Sequence, residues 1–211
     1  GVRMDLSPNR FRTLDDLRVY SYRVASVVGG WLTELFGIQD PWVLDRAFAL
    51  GHAMQLTNIL RDVGEDLRAE RLYLPEDLMA RFGVDRRFLV AAEKKESPIS
   101  PEYIKLLDHL MAEADADYDM AFEAIPFLPS FFQGPVAVAA SVYRGIHQEI
   151  RKNGYDNLTR RASTSLPKKF ILAAKGVVAL RRVPKREMNR DTYARRARPN
   201  FGGAGERRAV S

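Results

Sequence analysis

The chain has 211 residues, 46% of them hydrophobic, which suffices for one domain with a substantial core. It has no cysteine, which excludes a disulfide framework and a thiolate metal site and fits a reducing, cytoplasmic setting. The net charge of +6 is local: residues 181–211 hold ten of the 33 basic residues and three of the 27 acidic ones, leaving 23 basic against 24 acidic before them, so charge gives the body of the chain no nucleic-acid partner.

The predicted elements are helical from end to end, and the fold class is all-α. Thr13-Leu14-Asp15-Asp16 has N-cap character and opens a helix that runs to about Phe36, where Gly37 stops it. Asp40-Pro41 is a second start, with proline at the first helical position, and that helix runs to about Asp66. Residues 67–84 read as a loop with a short helical turn near 75–82. Asp85 opens a helix to about Glu96, and Ser100-Pro101-Glu102 opens a long one to about Ile125. Pro129 to Lys152 is a further helix, closed by Asn153-Gly154. A short turn of helix is expected over 156–162, and a last helix over 166–180. No apolar run approaches the ~20 residues that span a bilayer. The domain is expected to end near residue 182. Residues 183–211, rich in arginine, glycine and proline, read as a disordered basic tail that either stays solvated or touches anionic lipid at a membrane surface.

The helix over 41–66 carries the chemistry. At about 100° per residue, Gly51, Gln55, Asn58, Asp62, Glu65 and Asp66 fall in one narrow stripe. Leu56, Ile59, Leu60, Val63 and Leu67 gather on another face, and Arg61 and Arg68 flank the stripe. The plainer account is a solvated acidic face paired with arginines. Against it stand Gly51 and Gly64, each costing about 1 kcal/mol in a helix interior, which a solvated face does not need. A face approached closely by a ligand or another helix does need them. An all-oxygen stripe of this kind suits a hard cation such as Mg²⁺, with Mn²⁺ as the alternative. On the preceding helix, Tyr20, Val24, Val27 and Val28 share a face that either packs as ordinary core or lines a slot for an apolar chain. The three histidines, His52, His109 and His147, have no spaced partners, which disfavours a zinc site.

Several stretches, taken together, resemble the squalene/phytoene synthase family. Gln55 to Asp66, continued by Arg71-Leu72-Tyr73-Leu74-Pro75, resembles its second aspartate-rich motif. Gly1 to Leu6 resembles the segment before its central helices, and Tyr20 to Gly29 its aromatic helix motif. Tyr143 to Ile150, Tyr155 to Ala162 and Pro167-Lys168-Lys169 resemble its C-terminal signature, in the form closer to phytoene synthases. The resemblance covers residues 1 to about 180.

What the resemblance implies is a helical bundle of the trans-isoprenyl diphosphate synthase type around a central cavity. The implied reaction is head-to-head condensation of two geranylgeranyl diphosphates, through prephytoene diphosphate, to phytoene in carotenoid biosynthesis. The alternatives are squalene or dehydrosqualene synthesis from farnesyl diphosphate, and a non-catalytic subunit that binds prenyl diphosphate. Asp62 and Asp66, with Asn58, would hold Mg²⁺. Tyr20 would be the active-site tyrosine, Val24 and Val28 would line the prenyl slot, and Gly51, Gln55, Arg61, Arg71 and Tyr73 would contact substrate. The family's first aspartate-rich motif has no counterpart here. Asp15-Asp16 has the wrong spacing, and the alternating Asp115, Asp117 and Asp119 are not expected to share one helix face. The expectation is therefore an N-terminally incomplete bundle whose other acidic motif lies on a missing segment or a separate chain.

Overall fold

The computed structural model describes residues 10–183, and these are helical with turns and short connections between the helices. The opening segment 1–6 and the basic tail beyond 183 lie outside the described residues. The helices are α1 (Leu14–Ser21), α2 (Val27–Leu35), α3 (Pro41–Arg68), α4 (Glu76–Phe82), α5 (Arg86–Glu93), α6 (Pro101–Ala124), α7 (Ser130–Lys152) and α8 (Leu166–Arg182).

The start signals act as side-chain caps. Thr13 Oγ1 accepts from Asp16 N–H at 3.2 Å while Asp16 Oδ2 accepts from Thr13 N–H at 3.1 Å, a reciprocal capping box. Asp40 Oδ1 accepts from Trp42 N–H at 2.8 Å, ahead of Pro41 at the first helical position. Ser100 and Asp85 cap α6 and α5 in the same way. Gly37 and Gly154 take left-handed conformations at the ends of α2 and α7, φ +77° and +67°. Thr13→Ala removes the acceptor for an otherwise orphaned N–H. It is expected to lower stability by about 1 kcal/mol in denaturant unfolding, with little change in helix content.

The expected single helix over 14–36 is broken by a π-helical turn at Tyr22–Ser26, which shifts α2 relative to α1. This turn lies directly against α3. A Cβ on Gly51 would fall 2.4 Å from Ser26 Cα, so the two backbones meet where that glycine sits. The expected helical turn over 156–162 is also absent: Asp156 accepts from Thr159 N–H at 2.9 Å and from Thr159 Oγ1–H at 2.6 Å, closing a local turn that competes with helix. The helix expected to reach Glu96 ends at Glu93, and Lys95 is left-handed, φ +62°.

α3 is the central element. It packs along α6 on one side and against the π turn, α2 and α7 on others, while α8 lies on α7. Leu56 and Leu60 of α3 and Leu106, Leu107, Leu110 and Met111 of α6 are fully buried between them. Burying such a side chain stabilises the fold by about 1.5–3 kcal/mol, so this α3–α6 seam holds the motif helix in place.

Candidate active site

The stripe of α3 that faces away from this seam carries Gly51, Gln55, Asn58, Asp62, Glu65 and Asp66. Asp62 is partly buried between two guanidinium groups. Arg61 donates from Nε at 2.8 Å and from Nη2 at 2.5 Å, while Arg161 donates from Nε at 2.9 Å and from Nη2 at 3.4 Å. Arg161 also lies 3.7 Å from Glu65. Burial pushes the Asp62 carboxyl up, but the hydrogen bonds and charges of Arg61 and Arg161 outweigh it and hold the group below the ordinary carboxylate value. Arg61 is raised chiefly by its bond to Asp62, against its own burial, with the Asp62 charge and nearby Tyr143 adding to it.

One turn before Asp62, the Oδ1 of Asn58 is buried with no hydrogen-bond partner among the described residues. Leaving such an acceptor unsatisfied costs about 1–3 kcal/mol, so it needs a reason to persist. A carboxamide oxygen one helical turn from an ionised carboxylate is a donor pair for a hard cation. It is not a complete cage: among the described residues no group of three His, Cys, Asp or Glu side chains could hold a metal ion. The donor set fits a Mg²⁺ that takes its remaining oxygens from a bound phosphate and water, which is how that ion commonly binds.

Tyr20 and Tyr73 come together with Phe11, with ring centroids 5.3 Å apart for Tyr20–Tyr73 and 5.3 and 5.6 Å from Phe11. All three are buried, so α1 and the segment after α3 are locked to each other. Arg71 is exposed, and its N–H donates to the Asp66 carbonyl at 2.8 Å as the chain leaves α3. Val24 packs against the core, whereas Val28 is 51% exposed beside Trp31 and Leu35 on an open apolar face. Gln55 is half-buried on the stripe.

The residue that sequence spacing did not point to is Arg161. Arg161 reaches Asp62 from 99 positions away, along a connection whose path no local pattern reveals. Two histidines fall into a buried polar layer between α3, α6 and α7. His52 Nδ1 meets Asp117 Oδ2 at 2.5 Å, and His147 bridges Thr57 Oγ1 at 3.0 Å and Asp115 Oδ1 at 3.2 Å. The acidic run of α6 is therefore divided. Asp115 and Asp119, one turn apart, do share a face, where both meet Arg144, while Asp117 turns to His52 and Arg18.

The Asp115 carboxyl gives a pH prediction. Burial pushes it up, but His147 and Arg144 prevail and lower it from 3.8. The folded state thus binds this proton less readily than the unfolded chain. The stabilisation is complete above 3.8 and is lost as pH falls through the lower folded value. Asp115→Asn is expected to destabilise the protein at neutral pH, with the difference from wild type shrinking below that value in a series of denaturant titrations.

The helical bundle is of the terpenoid-synthase type. It superposes on a dehydrosqualene synthase crystallised with ligand at TM-score 0.75 and 33% identity, over 85% of this chain and 62% of that one. The chain belongs to the squalene/phytoene synthase family, whose model matches residues 1–168. It is 40% identical over 187 residues to a phytoene synthase of Thermus thermophilus, covering 89% of this chain and 62% of that protein. It is 36% identical over 179 residues to a phytoene synthase of Rhodobacter capsulatus, covering 85% and 52%. The chain thus spans between half and two thirds of the length of these relatives.

Proposed function

We propose that this chain supplies one metal–diphosphate face of a phytoene synthase, which joins two geranylgeranyl diphosphates head to head through a cyclopropyl intermediate. The single observation that carries the reading is the unsatisfied Asn58 Oδ1 set one helical turn from an ionised Asp62 that two arginines flank. Asn58, Asp62 and Asp66 would hold Mg²⁺, which supplies neutralisation of the charge that develops on a departing diphosphate. Arg61 and Arg161 present planar forks that fit diphosphate oxygens as they fit the Asp62 carboxylate. The open apolar face of Val28, Trp31 and Leu35 suits the prenyl chain, and the Tyr20 ring is held rigid against Phe11 and Tyr73. Two diphosphates carry more charge than the Mg²⁺ that one helix face would hold can neutralise. The facing acidic residues are therefore to come from outside this set, on a further segment or another chain.

The likeness to a dehydrosqualene synthase structure favours, as second reading, the same chemistry on farnesyl diphosphate. The test is to incubate the protein, with and without an added segment bearing an aspartate-rich helix from a relative, with each diphosphate and Mg²⁺, and to extract the hydrocarbon. Phytoene from the C20 substrate, dependent on the added helix, is the expected result. Dehydrosqualene from the C15 substrate alone favours the second reading. Diphosphate binding without product in any combination supports a non-catalytic subunit.

Peripheral membrane contact belongs to the same proposal. No helix among the described residues is long and apolar enough to cross a membrane. α8 nevertheless exposes Phe170, Ile171 and Val178 beside Lys169, Lys175 and Arg181. Basic residues near an anionic surface contribute about 1 kcal/mol each. Lys169→Glu with Lys175→Glu is expected to weaken sedimentation with phosphatidylserine vesicles at low salt; unchanged sedimentation removes α8 from that role.

A further inference from the structure

The connection between α7 and α8 places Asn157 against α3, where it is 2% exposed. Its Oδ1 accepts from the Tyr103 hydroxyl at 2.7 Å, and its Nδ2 donates to the Leu60 carbonyl at 2.6 Å. A carbonyl only accepts, so the nitrogen must be the end that faces Leu60. The carbonyl of Asn157 itself accepts from Gly64 N–H at 3.1 Å. In a regular α-helix Gly64 N–H and Leu60 C=O are partners of each other. One residue from a distant connection thus serves both ends of a single rung of α3. The approach requires a glycine: a Cβ on Gly64 would fall 1.9 Å from the Leu158 carbonyl oxygen. Asp62 lies midway along this rung, Asn58 two residues before it and Asp66 two residues after it. Four residues on from Asn157, the same connection delivers Arg161 to Asp62.

We propose that Asn157 is a positioning residue: by entering the Leu60–Gly64 rung it sets the pitch of the turn that carries Asn58 and Asp62, and so the separation of their oxygen donors. The inference rests on the metal–diphosphate reading of this face. The chemistry asks for a carboxamide. One planar group must offer an acceptor to Tyr103 and a donor to Leu60, which a carboxylate cannot do. Tyr103 is fully buried, and its hydroxyl holds the amide oxygen in the orientation that the Leu60 carbonyl fixes. Partners that orient a ligand without touching the metal commonly govern its affinity.

The test is a Mn²⁺ titration of the full chain by electron paramagnetic resonance with inorganic pyrophosphate present, on wild type and Asn157→Asp. The folded fraction is measured by circular dichroism on the same samples. The Asp variant is expected to bind Mn²⁺ about 10-fold more weakly or worse per folded molecule, at unchanged helix content. Equal affinity per folded molecule, even with a lowered thermal midpoint, shows a purely structural role and overturns the proposal. Should Asn157→Asp fail to fold, Tyr103→Phe keeps the ring packing and removes only the bond to the amide oxygen. A smaller, reproducible loss of affinity is then expected, and unchanged affinity is the overturning result. Failure of the wild type to bind Mn²⁺ with pyrophosphate sinks the functional reading and this proposal together. Wild-type binding with unaltered variants sinks this proposal alone.

Discussion

Asp62→Asn is expected to cut turnover of a synthase assembled with this chain by about 10²–10³-fold, the usual consequence of removing one preorganised electrostatic group from a reacting site. The substitution keeps the shape of the side chain and removes its charge. Arg61 and Arg161 then lose the carboxylate that fixes their forks, and the oxygen pair formed with Asn58 loses its anionic member. The competing account treats Asp62 as the centre of a surface ion-pair cluster. Such pairs contribute about 0–1 kcal/mol, less than about 10-fold in any equilibrium they control. Steady-state rates at saturating prenyl diphosphate, with thermal unfolding of the same preparations, separate the two. A rate within about 10-fold of wild type restores the ion-pair account.

Gly51→Ala is expected to destabilise the fold, although alanine is the better helix former. The intrinsic preference of about 1 kcal/mol favours the substitution at a helix interior. The added Cβ would lie 2.4 Å from Ser26 Cα and 2.7 Å from Ser26 N, both backbone atoms of the π turn. Backbone cannot rotate away as a side chain can, so α3 and the π turn must separate. Forcing an extra carbon into a packed seam costs about 1–3 kcal/mol, and a clash this short belongs at the upper end. The net expected loss is about 1–2 kcal/mol in denaturant unfolding, together with weaker packing of Val24 within the displaced turn and of Tyr20 just before it. A stability equal to or above wild type would show that the turn yields freely and that Gly51 is not what brings the two backbones together.

The sequence announced most helix boundaries because their signals are local. Thr13, Asp40, Asp85 and Ser100 cap helices with their own side chains, and Gly37 and Gly154 adopt the left-handed geometry that ends them. The π turn left no trace, because one extra residue in a helix of two dozen hardly alters apolar spacing. The turn over 156–162 escaped for a different reason: Asp156 and Asn157 spend their hydrogen bonds on Thr159, Leu60 and Tyr103 rather than on a helix. At the site, the glycines told that something approaches α3 closely. They did not tell that Gly51 meets the π turn and Gly64 meets Leu158. The Asn58–Asp62 pair was readable from helical spacing. Arg161 was not, because its place depends on how α7 and the connection after it fold back on α3.

The central claim is that the α3 stripe binds diphosphate through a divalent cation, and isothermal titration of the chain with pyrophosphate, with and without Mg²⁺, tests it most directly. The account predicts binding that requires Mg²⁺ and is lost in both Asn58→Ala and Asp62→Asn at unchanged helix content. Pyrophosphate binding of equal strength without Mg²⁺, untouched by either substitution, would show that arginines alone hold the anion and would contradict the account.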